Sequence, residues 1–240
     1  MPEVMDSRRP RAGRRFAPTH ELALDADAVA ACRTLPGAHR GVLVVRELTG
    51  PIGIPDLTAL VGGERALEAR LGLEIPPLLN EIDAAVAAVC HPSRMLSASA
   101  IAAGLSWPVE TITRRMPGLL RAGAVVRVRD DRYVRPAALV AGGRLYVVEA
   151  KVNDRVGAVN QARMYSTWAD GYVIVMGRIA PRPQAQLLAA VEADGGGLVL
   201  DGKWVRRPVI HRLPTARRLW AFEHLVAAIS GAPHQPSVAP

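Results

Sequence analysis

The sequence predicts an α/β fold built on a mixed sheet, with an α-rich module inserted at about residues 76 to 140. Three observations predict it. β-branched runs at 41–47, 145–152 and 172–176 read as strands of a mostly buried sheet. A stretch of helical composition, Arg155 to Ala169, lies between the last two, and a strand, helix, strand series implies a parallel crossover. From Arg94 to Arg135 the texture changes to short helices followed by a hairpin.

The elements follow in order. Residues 1 to 18 are rich in Arg and Pro and poor in large apolar groups, so they are expected to form a disordered basic arm. Asp25 to Arg33 has helical composition, and Pro36-Gly37 breaks it before the strand at 41–47. Thr49-Gly50-Pro51-Ile52-Gly53 turns the chain into a second strand, Ile54 to Val61, which Gly62-Gly63 ends. Helices are expected at Glu64 to Leu71 and Pro77 to Val89.

Within the module, Ser97 to Ala103 is a short helix and Gly104 to Trp107 a turn. Pro108 to Ala122 is a second helix, with Val109, Ile112, Met116, Leu119 and Leu120 at helical spacing. Pro117 interrupts its hydrogen bonding and should kink it near Thr113. Val125 to Val128 and Arg132 to Val134 make a hairpin around Asp130-Asp131. After the returning strand, helix and strand come a helix at Gln184 to Glu192, a hairpin at Leu198 to Val205 and a final helix at Thr215 to Ile229. The expected division is therefore a discontinuous core at 19–75 and 141–230, the module at 76–140, and a frayed tail at 231–240.

Composition narrows the function classes. A net charge of +8 with a pI near 10.4 raises the local concentration of polyanions, which makes nucleic acid the leading partner. The five arginines between Arg8 and Arg15 could lie along phosphates, but no apolar segment follows them as in a secretory signal. No run reaches the roughly 20 apolar residues of a membrane-spanning helix, so no membrane partner is expected and a cytoplasmic, nucleoid-associated location fits. Cys32 and Cys90 offer neither a CxxC pair nor zinc-ligand spacing, and the six histidines are scattered. Gly197 to Lys203 approaches a phosphate loop by letter, yet Trp204 stands where Ser or Thr should hold Mg²⁺.

The residues that could do chemistry lie on the strands. Glu149 and Lys151 are two apart and share a face of their strand, and Asp56 sits in a similar apolar setting. Interior carboxylates are costly unless something compensates them, and a hard cation does so. Of the 30 lysines and arginines only Lys151 and Lys203 are lysine. A compact, deprotonatable ammonium is therefore placed where a water-positioning role would require one.

These residues resemble the PD-(D/E)XK nuclease superfamily. The resemblance rests on Pro55-Asp56, on Glu149-Ala150-Lys151, and on Gln161-Ala-Arg-Met-Tyr165, which is similar to the QxxxY motif of the RecB-like branch. It covers about 41 to 61 and 144 to 176, and it implies a restriction-endonuclease-like core holding Mg²⁺ or Mn²⁺. Asp56 and Glu149 would then bind the metal, with Glu47 as a further ligand or helper of the water. Lys151 would assist the attacking water, while Gln161 and Tyr165 would touch the edge of the active site or the DNA backbone.

The inserted module resembles a winged helix-turn-helix. Its second helix would expose Thr111, Thr113, Arg114 and Arg115, with phosphate contacts from Arg121 and from Arg127, Arg129 and Arg132 of the wing. The eight arginines of residues 94–135 face only Glu110, Asp130 and Asp131. The two resemblances together imply a Mg²⁺-dependent endonuclease of double-stranded DNA, with a homodimer if the site is palindromic. The alternative is a DNA-binding regulator or end-binding protein that keeps the nuclease fold as a scaffold.

Overall fold

In a computed structural model, residues 3–6 and 19–231 of the chain are described. The chain is mixed α/β and divides into two compact units, one formed by Met1–Glu64 and Gly143–Leu213, the other by Arg65–Gly142 and Pro214–Pro240.

The first unit is a mixed sheet. Its strands are β1 (Glu3–Asp6), β2 (Val42–Arg46), β3 (Leu57–Val61), β6 (Arg144–Ala150), β7 (Gly171–Met176), β8 (Gly197–Leu200) and β9 (Lys203–Arg206), side by side in that order. β3 runs antiparallel to its neighbours β2 and β6, β6, β7 and β8 run parallel, and β9 returns antiparallel as an edge hairpin. The parallel pairs need crossovers, supplied by α6 (Arg155–Tyr165) and α7 (Pro181–Ala193).

Alternation along the strands sorts the two faces. Val44, Leu57, Ala59, Val61, Tyr146, Val148, Ala150, Val173, Val175 and Val199 form one apolar cluster with Leu24, Ala28, Ala31 and Cys32 of α1 (Thr19–Arg33). The intervening residues, among them Thr58, Leu60, Val147, Glu149, Tyr172 and Ile174, are buried against the opposite side. That side belongs to the crossover helices, where the Tyr172 hydroxyl donates to Asp194 at the end of α7 (3.2 Å) and Arg163 of α6 pairs with the same carboxylate (2.6 Å).

The expected disordered arm is corrected at its start. Residues 3–6 form β1, which pairs parallel with β2 from Glu3↔Leu43 to Asp6↔Arg46. Four residues carry no periodicity of their own, and it is the open edge of β2 that recruits them. The five arginines at 8–15 lie outside the described residues, as does all of the expected tail except Gly231.

The second unit is mainly helical: α2 (Glu64–Leu71), α3 (Glu81–Val89), α4 (Ala98–Leu105), α5 (Val109–Arg121), the hairpin β4 (Val126–Arg129) and β5 (Arg132–Val134), and α8 (Thr215–Ser230). It takes in residues 65–75 and 214–230 as well as the expected module, and α8 therefore leaves the sheet domain to which the sequence reading assigned it. The reason is packing. Leu219 and Trp220 of α8 join Leu78, Val86, Ile101, Ile112, Met116, Leu119 and Tyr133 in a single core, and the Trp220 indole donates to Leu79 O at 2.8 Å.

A buried ion pair ties α8 to α2. Arg70 and Glu223 are 1% and 0% exposed and meet through two hydrogen bonds of 2.8 and 2.7 Å. Arg70 also donates to the carbonyls of Ile75 and Pro76, and Glu223 accepts from Leu78 N. Each charge is thus surrounded by partners, which is what makes its burial tolerable.

Caps and turns set the local boundaries. Asn80 accepts from Ile82 N and Asp83 N at the start of α3, and Ser97 accepts from Ala100 N at the start of α4. α5 continues through Pro117 to Arg121, because its exposed face tolerates the ring while Ile112, Met116 and Leu119 hold the other face inside. Leu96 pairs with Tyr133, so the chain before α4 adds a third, one-residue rung to the hairpin.

Candidate active site and basic face

The candidate site lies where β3 begins and β6 ends. Leu57 pairs with Val148 at the end of this antiparallel ladder; Asp56, expected on the strand, stands at the bend just before it, while β6 runs on through Glu149. Val148 and Ala150 join the cluster against α1, so by alternation Glu149 belongs to the opposite face of β6, with Lys151 two residues beyond. The carboxylate of Asp56 closes the ladder in place of a backbone carbonyl: its Oδ2 accepts from Ala150 N at 2.9 Å. Asp56 therefore abuts the one residue that separates Glu149 from Lys151.

Glu149 and Lys151 are 2% and 8% exposed, and Lys151 Nζ lies 2.7 Å from Glu149 Oε1. A buried charge of either sign is costly alone, and the pair compensates both. The far side of the strand is held by Lys151 N, which donates to Val175 O of β7.

Glu47 follows β2. Its amide donates to Asp56 O at 3.0 Å, so it occupies the register position next to Asp56. Its φ of 49° is left-handed, which ends the strand's alternation at this residue. Among the described residues no group of three or more His, Cys, Asp or Glu is gathered to hold a metal ion. The structure thus pairs Glu149 with Lys151 and sets the Asp56 carboxylate on the amide of the residue between them.

Two carboxylates from adjacent strands still fit Mg²⁺ or Mn²⁺ chemically. Mg²⁺ prefers oxygen donors, is held by as few as one or two carboxylates, and fills its remaining positions with water and substrate phosphate. Asp56 and Glu149 are the residues that would hold it.

The helix α6 starts from Asp154, whose Oδ1 accepts from Gly157 N at 2.8 Å. It places Gln161 half-buried and Tyr165 1% exposed. Of the two places expected for Tyr165, the active-site edge and the DNA backbone, this burial sets it beside the loop that precedes Asp56. Its ring stacks edge-on against Trp168, at 5.9 Å between centroids, and packs on Gly53 of the β2–β3 loop. Trp168 reaches the same loop through a hydrogen bond from its indole N–H to Ile52 O (3.1 Å). The sequence does carry a signal for this contact, a glycine-rich loop directly before the acidic residue, but nothing in it names the aromatic partner.

In the second unit, α5 exposes Thr113, Arg114 and Arg121, and the hairpin exposes Arg127, Arg129 and Arg132. Thr111 is only half-exposed. Arg115 is not a free cation: it grips Asp83 of α3 through two hydrogen bonds, 2.7 Å from Nε, and that carboxylate raises its pKa above the ordinary arginine value. The pair ties α3 to α5. Arg127 lies 5.7 Å from the Tyr133 ring centroid, and Asp131 accepts from Ala98 N at 3.1 Å, anchoring the hairpin tip to the start of α4. Glu110 and Arg114 stand one helical turn apart on the same exposed stripe as Thr113.

Comparison with protein-family models, with curated proteins and with solved structures finds no match. Among the described residues no helix is long and apolar enough to cross a membrane.

Proposed function

We propose that the chain is a Mg²⁺- or Mn²⁺-dependent DNA endonuclease, with a PD-(D/E)XK-like sheet unit that cuts and a winged-helix-like unit that holds the duplex. The observation that carries the reading is the Asp56 carboxylate bonded to the amide of Ala150, the residue between the buried, paired Glu149 and Lys151.

The surrounding topology supports it. The Glu149–Lys151 strand β6, the helix α6 that carries Gln161 and Tyr165, and the parallel strand β7 follow one another, the strand, helix, strand context of the resemblance. A divalent ion held there would polarise the scissile phosphodiester. Asp56 and Glu149 supply its negative ligands. Lys151, held 2.7 Å from Glu149, would orient the attacking water and offset the charge that develops on the phosphorus oxygens.

The second unit supports duplex DNA as substrate through its element order. A helix, a one-residue rung at Leu96, two helices and a two-stranded hairpin follow one another, as in a winged helix-turn-helix. Arg114 and Thr113 would reach base edges, and Arg121, Arg127, Arg129 and Arg132 would meet phosphates.

One observation favours a second reading, a DNA-binding protein without catalysis: the Glu149–Lys151 pair compensates itself without an ion. Incubation of supercoiled plasmid with Mg²⁺ or Mn²⁺ separates the two. The nuclease nicks or linearises the plasmid and the Lys151→Ala variant does not, although both shift it in a gel. A wild-type protein that shifts the plasmid and leaves it intact with either ion sinks the catalytic reading.

A further inference from the structure

Asp56 and Glu47 sit at the two ends of one loop, residues 48–55, and the loop is closed on itself by Glu47 N donating to Asp56 O (3.0 Å) and Gly50 N donating to Gly53 O (3.1 Å). Its tip carries almost no side chains where it meets α6 and the turn after it. A β-carbon at Gly50 would lie 2.7 Å from Trp168 Cζ2, and one at Gly53 would lie 2.8 Å from Tyr165 Cε1 and 2.7 Å from Met164 Cε. Gly53 also has a φ of 75°, which a side chain would strain. Between these two contacts the Trp168 indole N–H donates to Ile52 O at 3.1 Å. Trp168 is 1% exposed and Tyr165 1%, so neither ring has room to step back.

From this we propose that Trp168, seconded by Tyr165, is a positioning residue for the candidate active site. The two rings clamp the bare tip of the 48–55 loop, and the clamp fixes where Asp56 leaves the loop and meets Ala150 N. The inference rests on the nuclease reading for its chemistry, but its structural half stands on the loop alone. The clamp explains why glycine stands at positions 50 and 53: a side chain at either would lift the loop from the rings and carry the carboxylate with it. A displacement near 1 Å is enough to spoil a geometry that must hold an ion between two strands.

The test compares Trp168→Leu, Trp168→Phe and Gly50→Ala with the wild type by amide hydrogen exchange and by the Mn²⁺ dependence of plasmid cleavage. Trp168→Leu and Gly50→Ala should each speed exchange at Ala150 and Glu47 at least tenfold, while Val148 and Val173 exchange as before. The Mn²⁺ concentration for half-maximal cleavage should rise at least tenfold, with the rate at saturating Mn²⁺ falling much less. Trp168→Phe keeps a ring against Gly50 and should recover most of the wild-type metal dependence.

Should Trp168→Leu fail to fold, Gly50→Ala carries the same comparison with Trp168 left in place. Uniformly faster exchange across β6 and β7, or unchanged exchange at Ala150 in a folded variant, overturns the clamp. A selective exchange response in a protein that neither binds Mn²⁺ nor cuts supports the clamp on the loop and overturns the nuclease reading.

Discussion

Asp56 Oδ2 accepts from the backbone amide of Ala150 at 2.9 Å, so the side chain of one strand completes the ladder of the next. The same carboxylate is thus both a structural cap and a candidate ligand, and the two roles separate by substitution. Asp56→Asn keeps an oxygen for Ala150 N and removes the charge. It should abolish Mn²⁺ uptake measured by calorimetry while costing less than about 1 kcal/mol in urea unfolding. Asp56→Ala should lose the ion as well and cost about 1 to 3 kcal/mol, because a largely buried amide is left without its acceptor. Wild-type Mn²⁺ affinity in Asp56→Asn would remove this residue from the metal site.

The sheet unit was largely legible in sequence because its strands read as β-branched runs bounded by Gly and Pro, and the Glu-x-Lys strand declared itself through the rarity of lysine. The β3–β6 register, which sets Asp56 against the amide of Ala150, depends on pairings across about 90 residues and has no local signature. β1 escaped notice because four residues acquire strand conformation only from the edge they join. The placement of α8 was illegible for a related reason: a helical pattern shows that a face is apolar without saying which core it enters. Likewise the phase of α5 shows Ile112, Met116 and Leu119 inward, but only the position of Asp83 distinguishes Arg115 from its neighbour Arg114.

That distinction is itself testable. Arg114→Ala should weaken binding to a duplex oligonucleotide and lower the slope of log affinity against log salt by about 1 if it meets a phosphate, or relax sequence preference if it meets a base. Arg115→Ala should leave the salt slope alone and instead lower stability by about 0.2 to 1 kcal/mol, since the pair with Asp83 is partly exposed. Fluorescence anisotropy at several salt concentrations, beside urea unfolding, reads both. Equal salt slopes for the two variants would contradict the assignment.

Alkaline pH should weaken the sheet unit through Cys32 and Tyr146. Burial pushes the Cys32 thiol up to about 12 and the Tyr146 phenol up to about 12, both above their values in an unfolded chain. A group whose folded pKa is raised in this way contributes its full stability below the unfolded pKa, near 9 for the thiol and 10 for the phenol, and loses it as pH rises toward 12. Urea midpoints should therefore fall between pH 9 and 12, and Cys32→Ala should flatten the early part of that fall. A midpoint independent of pH across this window would contradict the burial of both groups. Native Cys32 should also resist a thiol reagent at pH 8 that labels the unfolded chain at once.

The Arg70–Glu223 pair supplies the sharpest stability test, because its partners lie 153 residues apart and join the first helix of the second unit to its last. Arg70→Met leaves the Glu223 carboxylate buried with only Leu78 N to satisfy it, and should cost about 3 to 5 kcal/mol. Glu223→Leu leaves a buried guanidinium that still reaches the carbonyls of Ile75 and Pro76, and should cost a similar amount. The double variant removes both charges and should recover part of the loss, but not all of it, since Leu78 N and those two carbonyls lose their partners together. A double-mutant cycle in urea measures the coupling, expected at about 2 kcal/mol or more. Coupling near zero would mean that the two charges are each compensated elsewhere, and that α8 is held to its unit by the Leu219 and Trp220 contacts alone.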